Sequence, residues 1–141
     1  MAAPDGSILN ILRYSENKAL VLRTNPNEPE ELPVFDRIME FPMGHTKFDI
    51  LPYNGAYYAF GNRLPMRATL SIYKSVDLEH WDFIKDVLDY SHLDQQTTAF
   101  QYPSVLIEDN EALILSRTAW NGADSFHDSN LITFHRTGLD A

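Results

Sequence analysis

The residues best equipped for chemistry lie mostly in the second half of the sequence. His127 and Asp128 are adjacent in a short polar stretch. A carboxylate beside an imidazole can fix its tautomer, or Asp128 can itself act as a general acid or base. Neighbours on a strand point to opposite faces, so this pair can cooperate only in irregular backbone. Arg117 leaves the apolar run Ala112-Leu113-Ile114-Leu115, with Ser116, Thr118 and Trp120 beside it. A guanidinium there can grip a carboxylate through two parallel hydrogen bonds, or pair as an exposed strand-end arginine with an acid of the chain. His45 and Lys47 follow Gly44 two residues apart and share a face of any extended segment. Tyr102 and Trp120 offer aromatic faces for stacking.

Composition narrows what such residues can serve. The 141 residues carry 20 Asp+Glu against 11 Lys+Arg, a net charge of −9, which argues against a phosphate-backbone partner and so against nucleic acid. The apolar fraction of 44%, with 8 Phe, 7 Tyr and 2 Trp, is that of a folding chain. No run approaches the roughly 18–20 apolar residues of a membrane span. The absence of cysteine removes disulfides, thiolate nucleophiles and Cys-ligated metals. Histidines 45, 80, 92, 127 and 135 lack metal-ligand spacing, and neither a phosphate-binding loop nor a dinucleotide fingerprint is present, so no metal or cofactor is expected. The segment Met1–Ser7 has neither a basic start nor a long apolar stretch, and the default expectation is a cytoplasmic protein.

The elements that must position these residues read as short strands. Ile8 to Tyr14, Ala19 to Leu22, Val34 to Phe41, Lys47 to Leu51, Ala56 to Phe60, Ala68 to Lys74, Trp81 to Leu88, Tyr102 to Ile107, Ala112 to Leu115 and Leu131 to His135 are apolar, β-compatible runs separated by turn residues. Asn54-Gly55 between two such runs is a strong hairpin signal. Tyr90 to Thr98 is expected to form at most a helical turn. Thr24 to Pro33, with three prolines and three glutamates, reads as a solvated loop.

A repeat runs through this pattern. Asn17-Lys18-Ala19-Leu20-Val21-Leu22-Arg23 matches Asn110-Glu111-Ala112-Leu113-Ile114-Leu115-Ser116-Arg117 with one insertion, and Asn54 to Arg63 is a looser third copy. Each copy is a turn, an apolar strand and an exit arginine. All-strand repeats of about 40–50 residues are what propeller blades produce. Ser75-Val76-Asp77-Leu78-Glu79-His80-Trp81 adds a turn in which Ser and Asp side chains can bond backbone N–H groups before a Trp anchors the next strand. It resembles the Asp-box turn of sialidase-type propellers, without that motif's Gly and Thr and with Trp one residue early. Its role there is structural, and Asp77 is not expected to be catalytic.

Four further segments, Phe41 to Phe48, Phe100 to Pro103, Leu115 to Trp120 and Phe126 to Arg136, together resemble the C-terminal part of the sialidase-like (exo-α-sialidase-like) β-propeller family. The resemblance implies an all-β fold, with a glycan or glycoconjugate pocket on the axis of a five- or six-bladed propeller. The chain would supply about three blades as one segment, residues 1–141, with blade-like units near 8–41, 44–89 and 97–137. Closure would then need further N-terminal blades or a second copy, because propellers close with four to eight blades.

The activity implied is glycoside hydrolysis of the sialidase type; the rival expectation is a half-propeller that binds carbohydrate or assembles without catalysis. A third is a structural β-protein with no glycan site. In the resembled family arginines hold a carboxylate, a Tyr activated by a Glu attacks and an Asp is acid/base. Carried onto this chain, Asp128 and Tyr102 become the catalytic candidates. Arg117, His127, His45, Lys47 and Trp120 become the substrate-binding ones. Trp120 stands where a Tyr is more usual, and sequence assigns no Glu partner to Tyr102. The other exit arginines, Arg23 and Arg63, are weaker members of an expected arginine cluster. Set against the net charge of −9, the pocket has to be a local basic island.

Overall fold

The computed structural model describes residues 1–141 as ten β-strands with no helix: β1 (Ile8–Ser15), β2 (Lys18–Thr24), β3 (Val34–Glu40), β4 (Asp49–Tyr53), β5 (Ala56–Gly61), β6 (Thr69–Ser75), β7 (Asp82–Asp89), β8 (Ala99–Glu108), β9 (Glu111–Ala119) and β10 (Leu131–Gly138). They form three antiparallel sheets in chain order: β1-β2-β3, β4-β5-β6-β7 and β8-β9-β10. No barrel closes. The repeat's turns have a common backbone cause. Asn17, Asn54 and Asn110 all sit at positive φ (60°, 47° and 63°), and Asn54 is followed by Gly55 at 75°. Asparagine tolerates this region and glycine favours it, which suits the tight turn of a twisted hairpin.

The sheets stack face to face through two cores. Leu9, Val21 and Met39 of the first sheet pack against Phe48, Ala59 and Leu78, with Phe41 and Met43 from the connecting loop. Phe60, Leu70 and Ile72 of the middle sheet pack against Phe100 and Ile114 of the last. The middle sheet is therefore covered on both sides. On β5, Ala59 faces one core while Tyr58 and Phe60 face the other. Burial on both faces explains why Ala56-Tyr57-Tyr58-Ala59-Phe60 is continuously apolar rather than alternating.

Polar links fix how the middle and last sheets meet. Asn62, fully buried, donates through Nδ2 to the carbonyls of Thr69 (2.9 Å) and Phe100 (2.8 Å). Phe100 N–H donates to Arg67 O at 2.8 Å, and Val105 N–H to Asp49 Oδ2 at 3.1 Å. These bonds set β8 beside the loop after β5.

The stretch 90–98 forms no helix, within the expectation of at most a helical turn: it is two separate turns, closed by Leu93 N–H to Tyr90 O and Thr97 N–H to Asp94 O. Asp89 Oδ1 accepts from Ser91 N–H and Asp94 Oδ1 from Gln96 N–H, each at 3.0 Å. These side-chain bonds offer the backbone an alternative to a helix. The Ser75–Asp77 turn forms as its chemistry suggests. Ser75 Oγ accepts from Leu78 N–H (2.9 Å), and Asp77 Oδ1 accepts from the N–H groups of Glu79 and His80 (2.8 Å each). Leu78 is held at φ 63° in the first core, and Trp81 follows with its ring 5.2 Å from Phe41. Both carboxylate oxygens of Asp77 are engaged, the second by His80 Nδ1 at 2.6 Å.

The outer faces of the two end sheets remain uncovered. Leu12, Leu20 and Ile38 are aligned across the first sheet, and Leu22 pairs with Phe35 beside them. On the last sheet Leu115 pairs with Phe134 and Arg117 with Ile132. Phe35, Phe134 and Ile132 are each more than 60% exposed.

Candidate functional site

Tyr102 is the centre of the one cationic cluster in this acidic molecule. It lies at a β-bulge where the pairing of β8 with β9 shifts between Gln101 and Ser104, and its φ is 50°. Bulges re-aim side chains out of the regular alternation. Three arginines meet there. Arg13 of β1 donates to the phenol oxygen at 3.5 Å. The Arg117 guanidinium lies over the Tyr102 ring at 4.7 Å, and that of Arg67 lies 6.0 Å from the same ring and 5.5 Å from Phe126.

The support beneath them is buried and bonded. Gln101, 1% exposed, accepts from Arg67 through Oε1 and donates through Nε2 to Phe126 O (2.6 Å) and Ser129 Oγ (3.2 Å). One side chain thus ties Arg67 to the loop that carries His127 and Asp128.

Electrostatics separates these arginines from the rest. Arg23 pairs with Asp36 (2.8 Å) and Asp5 (3.5 Å), and Arg63 binds both oxygens of Asp86 at 2.7 Å. Arg37 pairs with Asp36 and Glu79, and Arg136 with Glu111. Arg13, Arg67 and Arg117 have no carboxylate partner, and they are the three that converge on Tyr102. The phenol responds: Arg13's hydrogen bond holds Tyr102 below the ordinary tyrosine pKa, with the charges of Arg13, Arg67 and Arg117 adding to it. Such an array can bind an anion, because planar donors with uncommitted N–H groups complement a carboxylate.

The expected residues divide around this cluster. Tyr102 and Arg117 are together in it. His127 and Asp128 sit on the adjoining loop, largely exposed, with Nδ1 and Oδ1 3.8 Å apart; Asp128 N–H donates to Ser125 Oγ at 3.1 Å. The irregular backbone that a working dyad needs is present, but 3.8 Å exceeds a hydrogen bond.

His45 serves the packing. Its Nε2–H donates to Leu64 O at 2.7 Å, which leaves Nδ1 buried and unpartnered. Lys47 is exposed and turns its ammonium onto Phe48 O at 3.0 Å. Their loop is pinned at Gly44, where a Cβ would fall 1.8 Å from Lys18 O. Trp120 packs on the inner side of the last sheet, edge-to-face with Tyr90 at 5.1 Å and tilted against Phe100 at 6.1 Å, lining a separate cavity of about 380 Å³ with His135 and Thr133. None of these three residues bonds to the arginine cluster.

The anticipated exit-arginine cluster is corrected in membership. Arg23 and Arg63 are neutralised by carboxylates that arrive from other strands, and Arg13 and Arg67 take their places beside Arg117. Neither newcomer had a sequence signal, because Arg13 precedes the repeat's turn and Arg67 lies in an irregular loop. Only the stacking of sheets brings them to Tyr102, which lies 89 residues from Arg13 along the chain. No family model, curated protein or solved structure matches this chain.

Proposed function

We propose that this is a carbohydrate-active protein of sialidase-like type, with three propeller-like sheet units and an arginine mouth at Tyr102 that takes the carboxylate of an acidic sugar. The observation that carries this reading is the pairing pattern of the arginines. Twenty acids are available, four arginines take carboxylate partners, and the three left free point at one tyrosine. An acidic protein that leaves three guanidinium groups unneutralised in one place has a basic island fit for an anion. The stacked meander sheets, with a serine–aspartate turn between β6 and β7, support the propeller-like assignment.

In the hydrolytic form of this function, Arg117 and Arg67 fork the sugar carboxylate and Tyr102 presents a phenol eased toward phenolate. The phenolate attacks the anomeric carbon, the glycosidic bond breaks, and Asp128 delivers a proton to the departing oxygen; water then releases the sugar. A specific observation favours a second reading, binding without turnover: the phenol's partner is a cation, Arg13, and no carboxylate base touches it.

Fluorogenic sialosides and uronosides, with neutral glycosides as controls, separate the two. Turnover that falls at least tenfold in Asp128→Ala and Tyr102→Phe supports hydrolysis. Binding of acidic sugars without turnover supports the lectin-like reading. Equal indifference to acidic and neutral sugars overturns both.

A further inference from the structure

We propose that the two uncovered sheet faces are a matched pair, and that a second copy of this chain covers them head to tail, the first sheet of each copy packing on the last sheet of the other. The first sheet presents Leu12, Leu20 and Ile38 in one cross-strand row and Leu22 with Phe35 in the next. The last sheet presents Leu106 paired with Leu113, and Leu115 paired with Phe134. Leu115, Leu106, Phe134 and Phe35 are between 49% and 62% exposed. Apolar patches this continuous mark interaction sites.

The molecule itself indicates the kind of occupant. Both of its internal interfaces are made by stacking one apolar sheet face on another, first on middle and middle on last. The free faces are the two ends of that same stack, so a first-on-last contact continues an existing mode. With three sheets per copy, two copies make six, within the four to eight sheets that close a ring.

Area favours the closed pair over an open chain. A three-stranded face seven residues long measures about 23 by 14 Å, roughly 300 Å² in projection. One contact between two faces covers roughly 650 Å², below the roughly 1,000 Å² expected of a specific association. A closed pair makes two contacts and covers roughly 1,300 Å², which passes it. Closure also leaves no end face, whereas an open head-to-tail contact would propagate.

Light scattering coupled to size exclusion, run on the full chain over a range of micromolar concentrations, tests this. The expected mass is twice the 16.2 kDa of one chain. Phe35→Glu and Phe134→Lys should each give a folded monomer by circular dichroism, since both positions are exposed. Mixing the two variants should restore a dimer, because one native contact survives and the other pairs Glu with Lys. If either variant fails to fold, Leu12→Glu or Leu115→Lys replaces it on the same face. A wild-type monomer throughout overturns the proposal. So does dissociation by changes on one face only, which signals like-on-like pairing, or a mixture that stays monomeric.

Discussion

Arg63 and Arg117 occupy the same place in the chain's repeat, the exit of an apolar strand after an asparagine turn, and have opposite fates. Arg63 binds both oxygens of Asp86, whose Oδ1 also accepts from Ser71 Oγ at 2.7 Å. Its neighbour Asn62 is fully buried and ties two sheets together. Arg117 has no acid opposite it and rests on the ring of Tyr102. One exit is closed on itself and serves the fold; the other has no acid partner and is free for the anion proposed above. Equivalent repeat positions share backbone chemistry, but the cross-strand neighbour decides whether the side chain is structural or free.

The contrast can be broken first on the closed side. Asn62→Ala should lower stability by about 3 kcal/mol, since two buried carbonyls lose their donor and a small cavity opens; urea unfolding measures it. Arg63→Ala should cost about 2 kcal/mol, because Asp86 is left partly buried without its partner. Asp86 is held below the usual carboxylate range mainly by Arg63's hydrogen bonds. A depressed acid contributes stability above the unfolded pKa, near 3.9, and loses it as pH falls through the lower folded value. Wild type should therefore lose stability more steeply than Arg63→Ala as the solution is acidified below about pH 4.

On the open side the ranking reverses. Arg117→Ala should leave stability within about 0.5 kcal/mol, as expected of an exposed position. It should weaken binding of a carboxylated sugar about tenfold, the scale of one charge-assisted hydrogen bond. Calorimetry on both variants makes the comparison: a loss of affinity in Arg63→Ala equal to that in Arg117→Ala would erase the distinction. Tyr102 sharpens it further. Among seven tyrosines, one should form phenolate at lower pH than the others by ultraviolet titration, and Arg13→Ala should return it to the group.

The smallest effect belongs to the Ser75–Asp77 turn. Asp77 raises the pKa of His80 through their hydrogen bond. That contribution is complete below the unfolded histidine pKa, near 6.5, and fades as pH rises through the folded value. A slight fall in thermal midpoint above neutrality should appear in wild type and vanish in His80→Ala.

Much of the fold was legible because its causes are local. Asparagine turns, one of them Asn-Gly, mark the hairpins, and the unbroken run Ala56 to Phe60 marks a strand buried on both faces. The Ser75–Asp77 spacing is satisfied within its own turn. The site was half legible. Tyr102, Arg117 and the His127–Asp128 loop stand on strands or turns that local pattern can place. Arg13 and Arg67 reach Tyr102 only once the sheets have stacked, and no spacing along the chain encodes that. The carboxylates that neutralise Arg23 and Arg63 were hidden for the same reason, since Asp36 and Asp86 arrive from other strands. His45, Lys47 and Trp120 have residue types suited to a ligand, but their nearest partners are Leu64 O, Phe48 O and the ring of Tyr90.

The most direct test of the open mouth follows arginine side-chain Nε–H signals by NMR during titration with N-acetylneuraminic acid, glucuronic acid and their methyl esters. The acids should shift Arg13, Arg67 and Arg117 in a saturable manner while Arg23, Arg63 and Arg136 stay still, and the esters should do neither. Shifts spread evenly over paired and unpaired arginines, or equal responses to acid and ester, would contradict a carboxylate site at Tyr102.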